Sequence, residues 1–264
     1  MDTDICTLAK GTIPLLVSFP HAGTDIPQAM AQRMTPAALQ RADTDWHLPQ
    51  LYAFAREMGA SLLVPRYSRY VIDLNRPPED SNLYPGQDTT GLVPRDSFRK
   101  EPLYRTGEEP AAAEIAERRE LYWKPYHDAL EAELARLRAA HGAVVLWDAH
   151  SIASVLPRFF EGKLPDLNLG TADGRSCGPQ VQAAAEGVLR AQREFTQVSN
   201  GRFKGGYITR HYGRPDDGVH ALQLEMCHAT YMDEPAPFGY RPDLAAKAQP
   251  LLQRLLAAVV EAVA

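Results

Sequence analysis

Three apolar runs in this 264-residue chain end in side chains that hold metals or move protons. Leu15-Leu16-Val17-Ser18-Phe19-Pro20 delivers His21, Val144-Val145-Leu146-Trp147 delivers Asp148 and His150, and the run from Val219 to Leu224 delivers Glu225. Two imidazoles and a carboxylate are the ingredients of a catalytic zinc site, which keeps one position open for water. The ion lowers the pKa of that water to about 7, and a nearby carboxylate can take its proton. His21 and His150 suit the ligand role and Glu225 the general base. Asp148, two residues before His150 and on the same strand face, could orient a ligand imidazole or cap a turn. There is no HExxH pair, and without GxSxG a serine nucleophile has no elbow to sit on. Ser151 reads as a capping or supporting residue.

Such groups meet only if a sheet brings them together. A short apolar run without alternation reads as a buried parallel strand, and open α/β sheets place ligands at the carboxyl ends of their strands. Strand-like runs at 13–19, 62–65, 143–149, 195–198 and 219–226 alternate with helical patterns. This predicts an α/β fold, a mostly parallel or mixed central sheet with helices on both faces. Asp43-Thr44-Asp45 precedes a helical pattern that Gly59 closes, and either aspartate could be its N-cap. A long amphipathic helix is expected over 111–139, broken at Pro125, with His127 an ordinary helix residue. Further helices are expected from Gly178-Pro179 to about Arg193 and from Leu244 to Val263. Residues 166–174 are polar and turn-rich, and 203–213 look like a glycine-hinged substrate loop. Residues 66–110 carry Arg66, Arg69, Arg76, Arg95, Arg99 and Arg105 with many prolines and one short strand at Tyr70–Leu74. Their interleaved Tyr, Leu and Phe argue for a structured excursion over the active site. Both ends of the sequence contribute to the same place, so residues 1–264 are expected to form a single domain.

Composition narrows the class. The chain is 45% hydrophobic and 23% charged, ample for a sizeable core, and its net charge of −5 favours neither nucleic acid nor an anionic membrane. Cys6, Cys177 and Cys227 are far apart and form no CxxC, which suggests a reducing compartment. The acidic start Met1-Asp2-Thr3-Asp4 lacks the pattern of a signal peptide, and no run approaches the roughly 18 apolar residues of a spanning helix. These features suggest a cytoplasmic enzyme or binding protein with a small-molecule partner.

Five segments then carry a resemblance. Ser18-Phe19-Pro20-His21-Ala22-Gly23, Asp43-Thr44-Asp45-Trp46, Arg69-Tyr70-Val71-Ile72-Asp73-Leu74-Asn75-Arg76, Trp147-Asp148-Ala149-His150-Ser151 and Gly205-Gly206-Tyr207-Ile208-Thr209 closely resemble the N-formylglutamate amidohydrolase family. The likeness covers nearly the whole chain, and the order and spacing of the motifs carry it. It implies hydrolysis of N-formyl-L-glutamate to formate and L-glutamate, in histidine degradation. That family in turn looks like a remote relative of the zinc carboxypeptidases and aspartoacylases. The resemblance implies a divalent metal, zinc, on His21 and His150, with Glu225 as general base and Arg69 facing the oxyanion. Asn75-Arg76 would hold a substrate carboxylate. The peptidase pattern wants Glu three residues after the first His, where this chain has Thr24; Asp45 is the candidate third ligand, with Asp25 behind it. The substrate is a small dianion, and Arg95, Arg210 or Arg214 could hold its second carboxylate. Competing readings are a deacylase of another N-acyl amino acid such as N-succinylglutamate, and a non-catalytic binding protein for acidic amino acids. The oligomeric state is not legible.

Overall fold

The computed structural model describes residues 5–83 and 86–263. Met1 to Asp4, on which the reading against a signal peptide rests, lie outside the described residues. The strands are β1 (Cys6–Ala9), β2 (Leu15–Ser18), β3 (Ser61–Pro65), β4 (Val144–Ile152), β5 (Leu167–Gly170), β6 (Gln197–Ser199) and β7 (Val219–Cys227). The helices are α1 (Gln28–Ala31), α2 (Leu48–Leu51), α3 (Phe54–Glu57), α4 (Ala112–Arg118), α5 (Lys124–His141), α6 (Pro179–Ala191), α7 (Tyr207–Tyr212) and α8 (Pro242–Glu261).

The strands form one mixed α/β sheet in the order β1-β3-β2-β4-β7-β5-β6. Strands β3, β2, β4 and β7 run parallel, while β1 and β5 are antiparallel to their neighbours β3 and β7. All nine residues of β4 and all nine of β7 are buried, as expected of central strands covered on both faces. Alternation decides which layer each side chain meets. Val145, Trp147, Leu222 and Leu224 pack towards α6 and α8, whereas Val144, Leu146, Val219 and Ala221 pack towards Leu130, Leu134 and Leu137 of α5. Asp148, His150, Gln223 and Glu225 therefore share the α5 face, beyond the point where the apolar residues of that face stop. The β4–β7 register places Asp148 beside Gln223 and His150 beside Glu225.

Several local expectations differ from the structure. Tyr70–Leu74 is a turn and not a strand. Val71 N–H bonds back to Ser68 O, Asp73 N–H reaches Leu92 O, and the Asp73 carboxylate accepts from Asn75 N–H, so no strand partner is available. The turn-rich stretch 166–174 contains β5, because Leu167 and Leu169 enter the core while Asn168 sits between β6 and β7. The 203–213 loop contains α7. The helix expected after Asp45 is two single turns, α2 and α3, and neither Asp43 nor Asp45 caps it; His47, with left-handed backbone, precedes α2. The helix over 111–139 is interrupted, but before Pro125 and not at it. A wide turn over Arg119–Trp123 separates α4 from α5, and Pro125 occupies the first turn of α5, where its missing N–H costs nothing. Among the described residues no helix is long and apolar enough to cross a membrane.

Candidate active site

The site lies at the carboxyl ends of β2, β4 and β7. His21 follows β2 through Pro20, and His150 lies on β4 itself. Each imidazole is tied by a carboxylate: His21 Nε2 is 2.8 Å from Asp73 Oδ1 and His150 Nε2 is 2.9 Å from Asp148 Oδ2. A carboxylate only accepts, so both Nε2 atoms carry a proton, and a ring that carries just that one offers its Nδ1 lone pair. Those two Nδ1 atoms face each other at 3.2 Å. Asp45 Oδ2 completes a triangle, 3.3 Å from His150 Nδ1 and 3.7 Å from His21 Nδ1. The three residues are buried and could together hold a metal ion. Four tetrahedral bonds of about 2.0–2.1 Å set neighbouring ligand atoms about 3.3–3.4 Å apart, close to this triangle.

The chemistry of the donor set also fits a cation. Two Nδ1 atoms this close repel as lone pairs unless a positive charge, a metal ion or a second proton on His150, lies between them. Neither oxygen of Asp45 makes a hydrogen bond of acceptable geometry among the described residues, although both are buried. An orphaned buried carboxylate is costly unless something cationic compensates it. Burial alone would raise the Asp45 carboxyl, but the adjoining His150 and His21 rings hold it well below the usual range. Burial opposes protonation of His150, yet Asp148 outweighs it and raises the imidazole well above its usual value. Asp25 lies apart, half-exposed and paired with Arg66.

Glu225 is 7% exposed and buried without a cationic partner at ion-pair distance among the described residues. Burial pushes its carboxyl up to about 8, only partly offset by His150. Gln223 stands beside it, with Nε2 3.5 Å from Glu225 Oε2, and its Oε1 accepts from Gly206 N–H at 2.8 Å. Arg69 is buried at the rim of the triangle. Its Nη1 lies 3.2 Å from His21 Nδ1, its Nη2 donates to Asp73 Oδ2 at 2.5 Å, and its guanidinium lies 4.5 Å from the Phe98 ring centre. Burial would lower the Asp73 carboxyl's acidity, but Arg69 and His21 prevail and hold it far below the ordinary value.

A cleft opens over these groups, lined by His21, His150 and Glu225 and by Arg69, Arg76 and Arg202 among others. Asn75 also borders it, but its amide is engaged inside the protein. Its Oδ1 accepts from Ile208 N–H at 2.8 Å, and its Nδ2 lies 3.0 Å from His150 Nε2 and 3.4 Å from Asp148 Oδ2. Arg95 is exposed on the excursion, and Arg210 donates through Nε to Gly205 O; neither lines the cleft. The sequence reading had no role for Asp73, Gln223, His127 or Arg202. Asp73 lies inside the quoted motif, two residues before Asn75, which was a usable signal. Arg202 had none, since nothing local distinguishes it from a surface arginine. His127, read as an ordinary helix residue, is buried and hydrogen-bonds Leu74 O at 2.9 Å and Tyr212 Oη at 2.9 Å.

Fold and site together define an α/β enzyme working at the carboxyl ends of parallel strands. Comparison with known proteins makes this specific. The chain matches the N-formylglutamate amidohydrolase family model over residues 13–232, and it belongs to that family. It is 50% identical over 253 residues to an N-formylglutamate deformylase of Pseudomonas aeruginosa, covering 96% of this chain and 95% of that one. A protein of the same name from Pseudomonas putida is 49% identical over 256 residues, covering 97% and 96%. The crystal structure of an N-formylglutamate amidohydrolase from Ralstonia eutropha superposes with a TM-score of 0.83 at 27% identity, covering 99% of this chain and 98% of that one. A solved protein of Agrobacterium tumefaciens, at 20% identity and a TM-score of 0.74, covers 98% and 96% and shares the fold.

Proposed function

We propose that this amidohydrolase releases formate and L-glutamate from N-formyl-L-glutamate, a step of histidine degradation, and that it does so with a divalent metal, zinc. The observation that carries the substrate is the half-identical relatives of that activity, matched over nearly their whole length. The buried triangle of His21 Nδ1, His150 Nδ1 and Asp45 Oδ2 supports the metal, and these three residues would hold it. When bound there, zinc supplies an acidified water and polarisation of a carbonyl oxygen.

The rest of the work falls to the chain's own side chains. Glu225, beside His150, accepts the proton of the attacking water and returns it to the departing glutamate nitrogen. Its desolvation makes it a stronger base than a surface glutamate. Arg69 stabilises the negative charge that develops on the formyl oxygen. The His21 Nδ1 lone pair serves one partner at a time, so a cation there frees Arg69 Nη1 for the substrate. Asp73 and Asp148 fix the imidazole tautomers. Arg76, on the wall of the cleft, takes a substrate carboxylate through its planar fork. Asn75 positions it, since its amide is occupied with Ile208 and Asp148. A cytoplasmic location is part of this reading; buried free Cys6, Cys177 and Cys227 suit a reducing compartment.

The test is formate release from N-formyl-L-glutamate by purified enzyme, together with metal analysis of the same sample. Turnover of N-succinyl-L-glutamate in its place would move the assignment to a different deacylase. Tight binding of the acid without turnover by metal-loaded protein would leave a binding protein.

A further inference from the structure

We infer that Arg202 is the clamp for the substrate's side-chain carboxylate, with Arg76 taking the α-carboxylate; this rests on the N-formylglutamate reading of the same cleft. A ligand with two carboxylates is oriented only if two cationic groups are fixed at separate points of its site. Arg69 is not one of them, because Asp73 and His21 hold it at the chemical end. The arginines that the sequence offers for the second clamp do not reach the cleft. Arg95 is exposed and Arg210 is bound to the carbonyl of Gly205. Arg214 bridges to Val219 at the start of β7 and pairs with Asp217. The strand from there to Glu225 spans about 20 Å at about 3.3 Å per residue.

Arg202 does line the cleft. It arrives on the loop between β6 and α7, whereas the Arg76 excursion leaves β3 on the other side of β4. Its Nε donates to Phe159 O at 2.6 Å. Its guanidinium carbon lies 5.8 Å from the Phe159 ring centre and 5.2 Å from that of Phe203. A guanidinium is planar and weakly hydrated, and it rests well on aromatic rings. Nε is thus anchored on a backbone carbonyl, and a guanidinium can take a carboxylate through two parallel bonds.

The cradle is itself braced. Phe159 and Phe203 pack on a small satellite core that includes Phe98, Ile152 and Leu156. The neighbouring Arg158 pairs with Asp88 and Asp96 of the excursion. A fork fixed before the ligand arrives loses little entropy on binding. The division of labour follows from the chemistry. Asn75 packs on His150 and Arg76 follows it on the cleft wall, so the reacting end is assigned to Arg76. The α-carboxylate of an N-formyl amino acid is bonded to the carbon that carries the amide nitrogen, whereas the side-chain carboxylate is two methylenes further away.

The experiment compares N-formyl-L-glutamate with its side-chain amide, N-formyl-L-glutamine, in wild type, Arg202→Met and Arg202→Lys. The wild type should prefer the acid by about 30-fold or more in kcat/KM, the scale of losing one partner of a desolvated charged pair. Arg202→Met should erase that preference, mainly by raising KM for the acid, and leave the amide nearly unchanged. Arg202→Lys should restore only part, since a point charge lacks the fork. The acid-to-amide ratio within one variant does not depend on how much of it is folded. A ratio unchanged by Arg202→Met overturns the assignment, as does a wild type without preference. Should the wild type release formate from neither compound, the proposed function fails. Binding of L-glutamate against L-glutamine to the same proteins, measured by calorimetry, then decides Arg202 by the same ratio.

Discussion

His21 and His150 each give one ring nitrogen to a carboxylate and keep the other for the shared triangle, and Glu225 stands beside them without belonging to it. The proposed ligands and the proposed base are therefore separable by mutation. Glu225→Gln keeps the volume and the hydrogen-bonding capacity but not the basicity. It should retain the metal at wild-type stoichiometry and lose at least about 10²-fold in turnover. Metal analysis and formate release on one preparation check both halves; near-normal turnover would remove Glu225 from the mechanism. The convergence of these residues was readable because each ends an apolar run. Asp45 was not separable from a helix cap in sequence, since Asp before a helical pattern suits either role. Only the structure shows a carboxylate with no backbone N–H to cap.

Among the elements, α7 works as a latch on the Asn75-Arg76 turn. Tyr207 N–H reaches Asn75 O, Ile208 N–H reaches Asn75 Oδ1, and Gly206 comes so near that an added Cβ would lie 2.4 Å from Asn75 Nδ2. The Gly206 φ of −84° is ordinary, so space and not backbone freedom requires glycine here. Gly206→Ala should keep the fold at a cost of about 1–3 kcal/mol and lower kcat/KM by displacing Asn75. An unchanged kcat/KM would show that the turn is not held from this side.

From behind, α5 holds the same turn through His127, whose buried ring is kept neutral, with its pKa lowered to about 3. Between that value and about 6.5 in the unfolded chain, the unfolded state binds a proton that the native state does not. Stability should therefore be complete above about pH 6.5 and fall as pH drops towards 3. Melting temperatures over this range should fall less steeply in His127→Gln. The long central strands were legible because their apolar runs are continuous. Strand β5 was not, since Asn168 and the flanking turn residues hide a four-residue pattern whose partners lie far away in sequence. Tyr70–Leu74 failed in the opposite sense, as its β-branched residues serve a buried turn.

At the level of the whole molecule, the α/β class followed from alternation of strands and helices, but the antiparallel β1 and β5 did not. Antiparallel placement depends on which edge a strand joins, and that is a tertiary choice. The site draws its parts from residues spread between 21 and 225. The excursion, the β6–α7 loop and the β4–β5 connection all bear on one cleft. This wide sourcing has a cost that local motifs avoid, because nothing in the site exists until the sheet does.

The two facing Nδ1 atoms belong to residues 129 positions apart in the chain. Contacts of that separation form late on the way to the native state, after the slow pairing of non-local strands. The folding transition state therefore offers a cation at most scattered single ligands. Zinc should act on the escape from the native state and not on the approach to it. In stopped-flow urea jumps, saturating zinc should slow unfolding by the full binding contribution, about 4 kcal/mol when the ion is at a thousand times its dissociation constant. The refolding rate should stay where it is without metal. Refolding accelerated by zinc would mean that β2 and β4 are already side by side when the barrier is crossed. With refolding unchanged, the metal would be a timer on the native state's lifetime as much as a reagent.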